Sequence, residues 1–309
     1  MAHTRRCANA TGPLAKCRCS CGGNLHGGTG DKTVPPSLPR RPRPLHVSVA
    51  QTSLPIADNP RISRLRAAVA SGVVKRQPLG GESGSKTELL ICADGTRVVA
   101  KGVGCWQEDY VDADHQRDAE VLGPVIVECA GLPAPAVYVD DDGRILMERL
   151  DAVPAAYGHV GDVTKLMITA GGPGADDAWA LALADTVMSN SDRNGENWGI
   201  KDGRILGTWD HATCFEWSDQ KPHGPPTGWL TVYFNKWLAT DRGGWRDDIE
   251  LTVTDVERFK RRLKAARPRF ADPALRRSRL DWWRKAMARA DALQAHLETL
   301  PPRTRDRIR

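Results

Sequence analysis

Apolar and polar positions along this chain fall into short segments whose period changes from element to element. "RISRLRAAVASG" (61–72) has its apolar residues at helical spacing and predicts a short helix. "VVKRQPL" (73–79) predicts a strand with Pro78 at its end, because proline cannot donate to a sheet ladder. After "GGESGSKT" (80–87) comes "ELLICADGTRVVAKGV" (88–103), two β-prone runs joined by Ala93-Asp94-Gly95-Thr96. Asp-Gly between such runs is a hairpin signal. "EDYVDADHQRDAEVLG" (108–123) predicts a helix ended or broken at Gly123-Pro124. "AVYVDDDGRILMERL" (136–150) predicts a second hairpin, turned by Asp141-Asp142-Gly143. Two hairpins around one helix imply a small antiparallel sheet with a helix packed on it.

Beyond residue 155 the pattern is mostly helical. "DDAWALALADTVMSN" (176–190) predicts a helix with Asp176 or Asp177 near its start. "WGIKDGRILGTWDH" (198–211) predicts a short hairpin around Asp202-Gly203. "TDVERFKRRLKAA" (254–266) opens with Thr254 and Glu257 at capping-box spacing. Residues 272–298 predict a helix with Asp272 as N-cap and Pro273 behind it. Its apolar stripe is Leu280, Trp283, Met287, Ala290, Leu293 and Leu297. No repeat of solenoid period is present.

Composition refines this layout. Residues 31–60 hold "VPPSLPRRPRPL" and "LPIADNP", and proline at that density reads as a linker. The expected organisation is a Cys-rich segment (1–30), a linker (31–60), a β-rich part (61–155) and a helical part (156–309). Hydrophobic residues make up 40% and charged residues 27%, ordinary for a globular protein. No apolar run approaches the ~20 residues of a membrane span. Arg5 and Arg6 are not followed by an apolar h-region, so no secretory signal is expected and the expected address is the cytoplasm. The net charge of +6 is uneven. Residues 1–50 hold 8 Lys/Arg against 1 Asp/Glu, residues 51–256 hold 19 against 31, and residues 257–309 hold 17 against 6. Basic ends of this kind either bind nucleic acid or an acidic protein, or form a solvated helix face and a tail.

Four of the eight cysteines, Cys7, Cys17, Cys19 and Cys21, fall within the first 21 residues, with His26 close behind. Zinc takes four S or N ligands in a tetrahedron, and such sites can order very small segments. Cys7, Cys17 or Cys19, Cys21 and His26 are candidate zinc ligands, and a tail bearing thiols is the alternative. Cys92, Cys105, Cys129 and Cys214 sit in apolar or strand-like surroundings and read as small buried hydrophobes.

"GGESGSKT" nearly matches the P-loop pattern, but Ser85 stands where the second Gly belongs. A P-loop also runs directly into a helix, whereas a hairpin follows Thr87. What remains is a glycine-rich turn between strands, in which Gly81, Gly84 and Ser85 let backbone amides approach a phosphate. The next strands end at Lys101 in "RVVAK", and Glu120 lies on the helix after it. In "SNSDRNGENWGIKDGRILGTWDHATCF" (189–215), Asp192 precedes Asn197 by five residues, and a hairpin carries the chain back to Asp210. This order reproduces the phosphoryl-transfer apparatus of kinases. A Lys pairs the phosphates and a helix Glu, an Asp accepts the acceptor's proton, and an Asn and a later Asp hold Mg²⁺. Hard Mg²⁺ requires the oxygen ligands that Asn197 and Asp210 supply.

"SDRNGENW…GTWDHATCFE" resembles the phosphatidylinositol 3-/4-kinase-like branch of the protein-kinase-like superfamily, with HipA-type kinases a close second. The resemblance covers roughly residues 70–240 and implies an α+β, bilobal kinase-like fold, with ATP and Mg²⁺ between a small β-rich lobe and a helical lobe. It implies that Lys101 binds phosphate, that Asp192 is catalytic, and that Asn197 and Asp210 hold metal. It also makes "LMERL" (146–150) the hinge, with the backbone of Glu148 beside adenine. The sequence departs from the pattern in three places: Asn190-Ser191 replaces His-Arg before Asp192, His211-Ala212 follows Asp210, and the glycine-rich hairpin lacks a regular G-x-G-x-x-G. The expected activity is transfer of the γ-phosphoryl group of ATP to a hydroxyl on a protein, lipid, small molecule or the chain itself. The alternatives are a non-catalytic pseudokinase and a zinc-containing module that binds nucleic acid or protein. "FEWSDQKPHGPPTGWLTVYFNKW" (215–237) lies where acceptor-binding loops often fall in this superfamily, although core packing accounts equally for Trp229, Phe234 and Trp237.

Overall fold

In a computed structural model of the chain, the described residues are 54–56, 58–79, 87–102, 112–151, 153–154, 173–190, 197–201, 204–215 and 251–299. They form an α+β structure with a sheet part and a helical part. Helix α1 (Pro60–Ala70) starts at Asn59, whose side chain accepts from the Arg61 N–H, and has proline at its first position. Strands β1 (Val73–Pro78), β2 (Thr87–Cys92) and β3 (Arg97–Lys101) follow as an antiparallel meander. Gly95 takes φ 83° in the β2–β3 turn, a conformation that disfavours any residue with a Cβ. After helix α2 (Ala113–Cys129) come β4 (Val137–Val139) and β5 (Ile145–Glu148), giving a five-stranded sheet of order β1-β2-β3-β5-β4. The two expected hairpins are therefore joined edge to edge, with β5 beside β3.

The second sheet is small. β6 (Val153–Pro154), β7 (Trp198–Lys201) and β8 (Arg204–Thr208) pair antiparallel in sequence order. Helix α3 (Pro173–Met188) lies between β6 and β7 in the chain, and α4 (Val253–Ala265), a 3₁₀ turn (Arg267–Ala271) and α5 (Leu280–Thr299) complete the helical part. α2 packs against β4, α3 and α4, and α5 packs against α3 and α4, so α2 is covered on nearly every side. No helix among the described residues is long and apolar enough to cross a membrane.

Three expectations are corrected. α2 does not stop at Gly123-Pro124 but runs on to Cys129. Proline normally clashes with the preceding residue's Cβ, and Gly123 has none, so helical backbone survives there. Every residue from Glu120 to Cys129 is buried, and that packing holds the extension. α4 is capped two residues earlier than expected, by a capping box of Thr252 and Asp255. The last helix begins at Leu280 rather than near Asp272, whose carboxylate is shared between a local and a distant N–H. Its carboxylate accepts from the N–H of Ile56 at 2.6 Å and of Ala274 at 2.8 Å. Ile56 is itself in the core, and Arg269 Nε donates to Leu54 O at 2.9 Å. The stretch just before α1 is thereby bound to the C-terminal part. In α5 the fully buried side chains are Trp282, Ala286, Ala290 and Leu293, and the predicted Leu280, Trp283, Met287 and Leu297 flank them, half-buried.

Buried ion pairs hold α2 in place. Asp118 accepts from Arg279 Nε at 2.7 Å and from the Arg276 N–H at 2.9 Å, with both acid and guanidinium inaccessible. Glu128 bonds Arg269 at 3.1 Å and Arg61 at 3.3 Å. Removing one member of such a pair strands the other without water. Asp118→Ala is expected to lower unfolding stability by about 3–5 kcal/mol in urea titrations. Arg76→Ala, which breaks the exposed pair with Glu88, is expected to cost less than about 1 kcal/mol.

Candidate phosphoryl-transfer site

Lys101 is the last residue of β3, opposite Thr87 on β2 and Ile145 on β5. Val98 and Ala100 point into the core, so the two-residue period turns Lys101 to the other side of the strand. There its Nζ meets Glu120 Oε1 of α2 at 2.6 Å and also bonds Asp210 Oδ1. Three residues spread over 110 positions thus form one cluster. Glu120 is fully engaged, since its Oε2 accepts the N–H of His211 at 3.0 Å. Burial alone would lower the Lys101 pKa, but the Glu120 and Asp210 carboxylates outweigh it and hold the ammonium above its ordinary range. Burial raises the Glu120 pKa, the Lys101 charge works against that, and Asp210 adds to it; the net direction is upward.

Asp210 sits at φ 58°, in the left-handed region that Asp tolerates better than most residues. Its neighbours fix it there. His211 is inaccessible, with Nε2 3.3 Å from Thr208 Oγ1 and Nδ1 3.8 Å from Cys214 Sγ. A Cβ on Gly123 would stand 2.5 Å from His211 Cβ, so only glycine lets α2 approach this closely. The carbonyl of Cys214 lies 2.8 Å from His115 Nε2, and Phe215 donates its N–H to Met188 O at 2.7 Å. The Phe215 ring stacks on Trp282 of α5 at 4.6 Å and 13°. Residues 210–215 are therefore held by α2, α3 and α5 together. Sequence reasoning missed His211, Gly123 and Trp282; the one readable sign was the glycine placed directly before a helical proline.

Asn197 directly precedes β7 and is buried, and its carbonyl accepts the N–H of Trp209 at 3.0 Å. The pairing of Trp198 with Thr208 brings Asn197 and Asp210 out of the same open end of the β7–β8 hairpin. Asp192 lies outside the described residues. Before it, Asn190 bonds back to Asp185 through both its N–H (2.9 Å) and its side-chain amide (3.1 Å). Gly81, Gly84 and Ser85 also lie outside the described residues; the strands on either side of them, β1 and β2, pair antiparallel. The same holds for the zinc candidates Cys7, Cys17, Cys19, Cys21 and His26, and for residues 216–237 of the expected acceptor loop. Cys92, Cys129 and Cys214 are buried free thiols, as expected, and burial pushes the Cys129 thiol up to about 12.

Glu148 ends β5. Its N–H goes to Ala136 O at 2.9 Å, and the next N–H, of Arg149, goes to Arg97 O at 3.3 Å. Its carboxylate bonds Arg61 of α1 and the N–H of Ala136. Arg61 also reaches Ala134 O at 2.6 Å, so α1 braces the end of β5 from outside the sheet.

Among the described residues no group of three His, Cys, Asp or Glu could hold a metal ion unaided. Mg²⁺ is often held by one or two protein carboxylates with phosphate oxygens and water. Asp210 meets that requirement: its side chain is 34% exposed, and among the described residues Oδ2 carries no hydrogen bond. The donor set therefore fits a Mg²⁺ that arrives with a nucleotide.

No family model matches the chain, and no curated protein matches it. Among solved structures, the chain is similar to the Rio2 kinase–ADP/Mg²⁺–phosphoaspartate complex from Chaetomium thermophilum, at 17% identity and a TM-score of 0.37, over 75% of this chain and 73% of that one. A second is a protein described as a fructosamine-3-kinase from Thermobifida fusca YX-ER1, at 16% identity and a TM-score of 0.27, over 73% of this chain and 98% of that one. Neither is described as a phosphatidylinositol kinase or a HipA-type kinase. TM-scores below 0.5 do not establish a common fold, so the functional reading rests on the geometry of the site itself.

The cluster has a pH signature. Without Lys101, only the His211 N–H still opposes burial and Asp210 at Glu120, whose folded pKa then lies still further above its unfolded value of 4.5. Such a carboxyl is tolerated when protonated and destabilises as pH rises through its folded pKa. The stability lost in Lys101→Met, measured by urea unfolding, is expected to be larger at pH 8 than at pH 5. Adding Glu120→Gln is expected to remove most of that pH dependence.

Proposed function

We propose that this chain is an ATP- and Mg²⁺-dependent phosphotransferase of protein-kinase-like, bilobal organisation, moving the γ-phosphoryl group to a hydroxyl. Residues 61–155 would form the small lobe and 156–309 the helical lobe. The observation that carries the reading is the convergence of Lys101, Glu120 and Asp210, with Asn197 leaving the same hairpin end as Asp210. A purely structural ion pair would not need an accessible carboxylate oxygen at its edge.

In this reading Glu120 holds Lys101 against the phosphates, and His211 N–H keeps Glu120 in its rotamer. Lys101 exchanges its bond to Asp210 for phosphate oxygens when nucleotide enters, which frees Asp210 to join Asn197 as a metal ligand. Mg²⁺ bound there would neutralise charge on the β and γ phosphates. Gly81, Gly84 and Ser85 would cover the phosphates with backbone amides. The strand end at Glu148 would border the adenine; with the Glu148 and Arg149 N–H groups already spent, the carbonyls and the Leu150 N–H are what it can offer. The acceptor oxygen bonds to the γ-phosphorus, the bond from that phosphorus to the β–γ bridging oxygen breaks, ADP leaves, and the hydroxyl proton passes to Asp192.

The test is release and transfer of label from γ-labelled ATP with Mg²⁺, with water and the chain itself as acceptors. Wild-type protein is expected to turn over, and Asp192→Ala and Asp210→Ala are each expected to fall at least about 100-fold. Turnover that is indifferent to both substitutions, or no Mg²⁺-dependent turnover in the wild type, contradicts the proposal.

A further inference from the structure

The outer surface of the α4–α5 pair carries cations that the fold does not use. α4 and α5 run antiparallel: Trp283 Nε1 donates to Leu263 O at 2.9 Å, and Lys260 bonds Gln294 at 2.9 Å. Within four residues of Leu263 or Trp283 along the chain lie Arg261 and Lys264 on α4, Arg267 at the start of the 3₁₀ turn, and Arg284 on α5, all exposed. Among the described residues none of the four has an ion-pair partner. The nearby acids do not quench them. Asp255 and Asp291 serve Arg258 and Lys260, while Glu257 and Asp281 pair with none of the four. Arg267 is pre-positioned, with its guanidinium 5.6 Å over the Trp283 ring. The surrounding sequence keeps the excess: residues 257–309 hold 17 Lys/Arg against 6 Asp/Glu.

We propose that this face, centred on Arg267 over Trp283, binds the phosphate backbone of a nucleic acid. Three considerations select that partner. Three of the four cations are arginines, whose planar fork matches phosphate oxygens two at a time. Membrane-surface helices combine basic residues with apolar side chains that enter the lipid, and this face has none: the only exposed large hydrophobic among the described residues is Val74, on β1. The Trp283 ring already carries Arg267, so the surface offers charge rather than a platform for base stacking and is expected to read backbone, not sequence. The proposal does not depend on the phosphotransfer reading, because none of these residues belongs to that site.

The test uses the full chain with a fluorescein-labelled 20-nucleotide thymidine strand, a 20-base-pair duplex, and phosphatidylserine-containing vesicles, from 50 to 200 mM salt. The wild type is expected to bind either oligonucleotide with a log–log salt slope of about −2 to −4, the value for three or four phosphate contacts. Lys264→Gln/Arg267→Gln/Arg284→Gln is expected to weaken binding at least tenfold and to flatten the slope by about 2. Arg267→Lys/Arg284→Lys, which keeps the charge but loses the planar fork, is expected to weaken binding less than the glutamine variant and to leave the salt slope unchanged, and so separates lost charge from lost folding. No oligonucleotide binding at 50 mM salt, undiminished binding by the triple variant, or binding to vesicles but not to oligonucleotides would each overturn the proposal.

Discussion

One nearly buried ammonium organises this molecule. Lys101 Nζ is shared between Glu120, which water cannot reach, and Asp210, which it can. One cation facing two carboxylates leaves an excess negative charge, and the structure places that excess on the accessible side. A cluster of this kind is poised to exchange partners. Mg²⁺ on Asp210 and phosphate on Lys101 would satisfy both groups better than they satisfy each other, because each then gains a full counter-charge in a site with little water.

Much of the surrounding architecture serves the position of Glu120. α2 is buried on nearly all sides and fixed at both ends, through Asp118 to Arg279 and through Glu128 to Arg269 and Arg61. Its Pro124 gives no N–H to the carbonyl four residues back, which is that of Glu120 itself, and the Gly123 beside it admits His211. The segment 210–215 is locked by contacts from α2, α3 and α5, with positive φ at both Asp210 and Phe215. Backbone of that kind costs of order 1–3 kcal/mol per residue and persists where the surroundings over-determine it. The C-terminal helix therefore does more than close the core: through Trp282 on Phe215 it bears on the segment that carries Asp210.

The strands and the spacing of the polar site residues were legible because they depend on local signals. Asp-Gly turns announced both hairpins of the five-stranded sheet, and an apolar run ending in lysine announced β3. Lys101, Glu120 and Asp210 could be grouped from chain order because the β7–β8 hairpin is short enough to fix where Asp210 returns. What could not be read was set by tertiary packing. Burial of residues 120–129 carries α2 through a proline that would end an exposed helix. Asp272 looked like a helix cap because its true partner, the Ile56 N–H, lies 216 residues away. The brace from Arg61 to Glu148 and Glu128 joins elements whose proximity no local pattern encodes.

The central claim is that Lys101, Glu120 and Asp210 form a nucleotide-phosphate site completed by Mg²⁺. Its most direct test is ATP affinity by titration calorimetry with and without Mg²⁺, in the wild type and in Asp210→Asn. The account predicts that Mg²⁺ tightens ATP binding at least about tenfold in the wild type and that the substitution abolishes this gain. ATP affinity independent of Mg²⁺ in the wild type, or a gain preserved in Asp210→Asn, would contradict it.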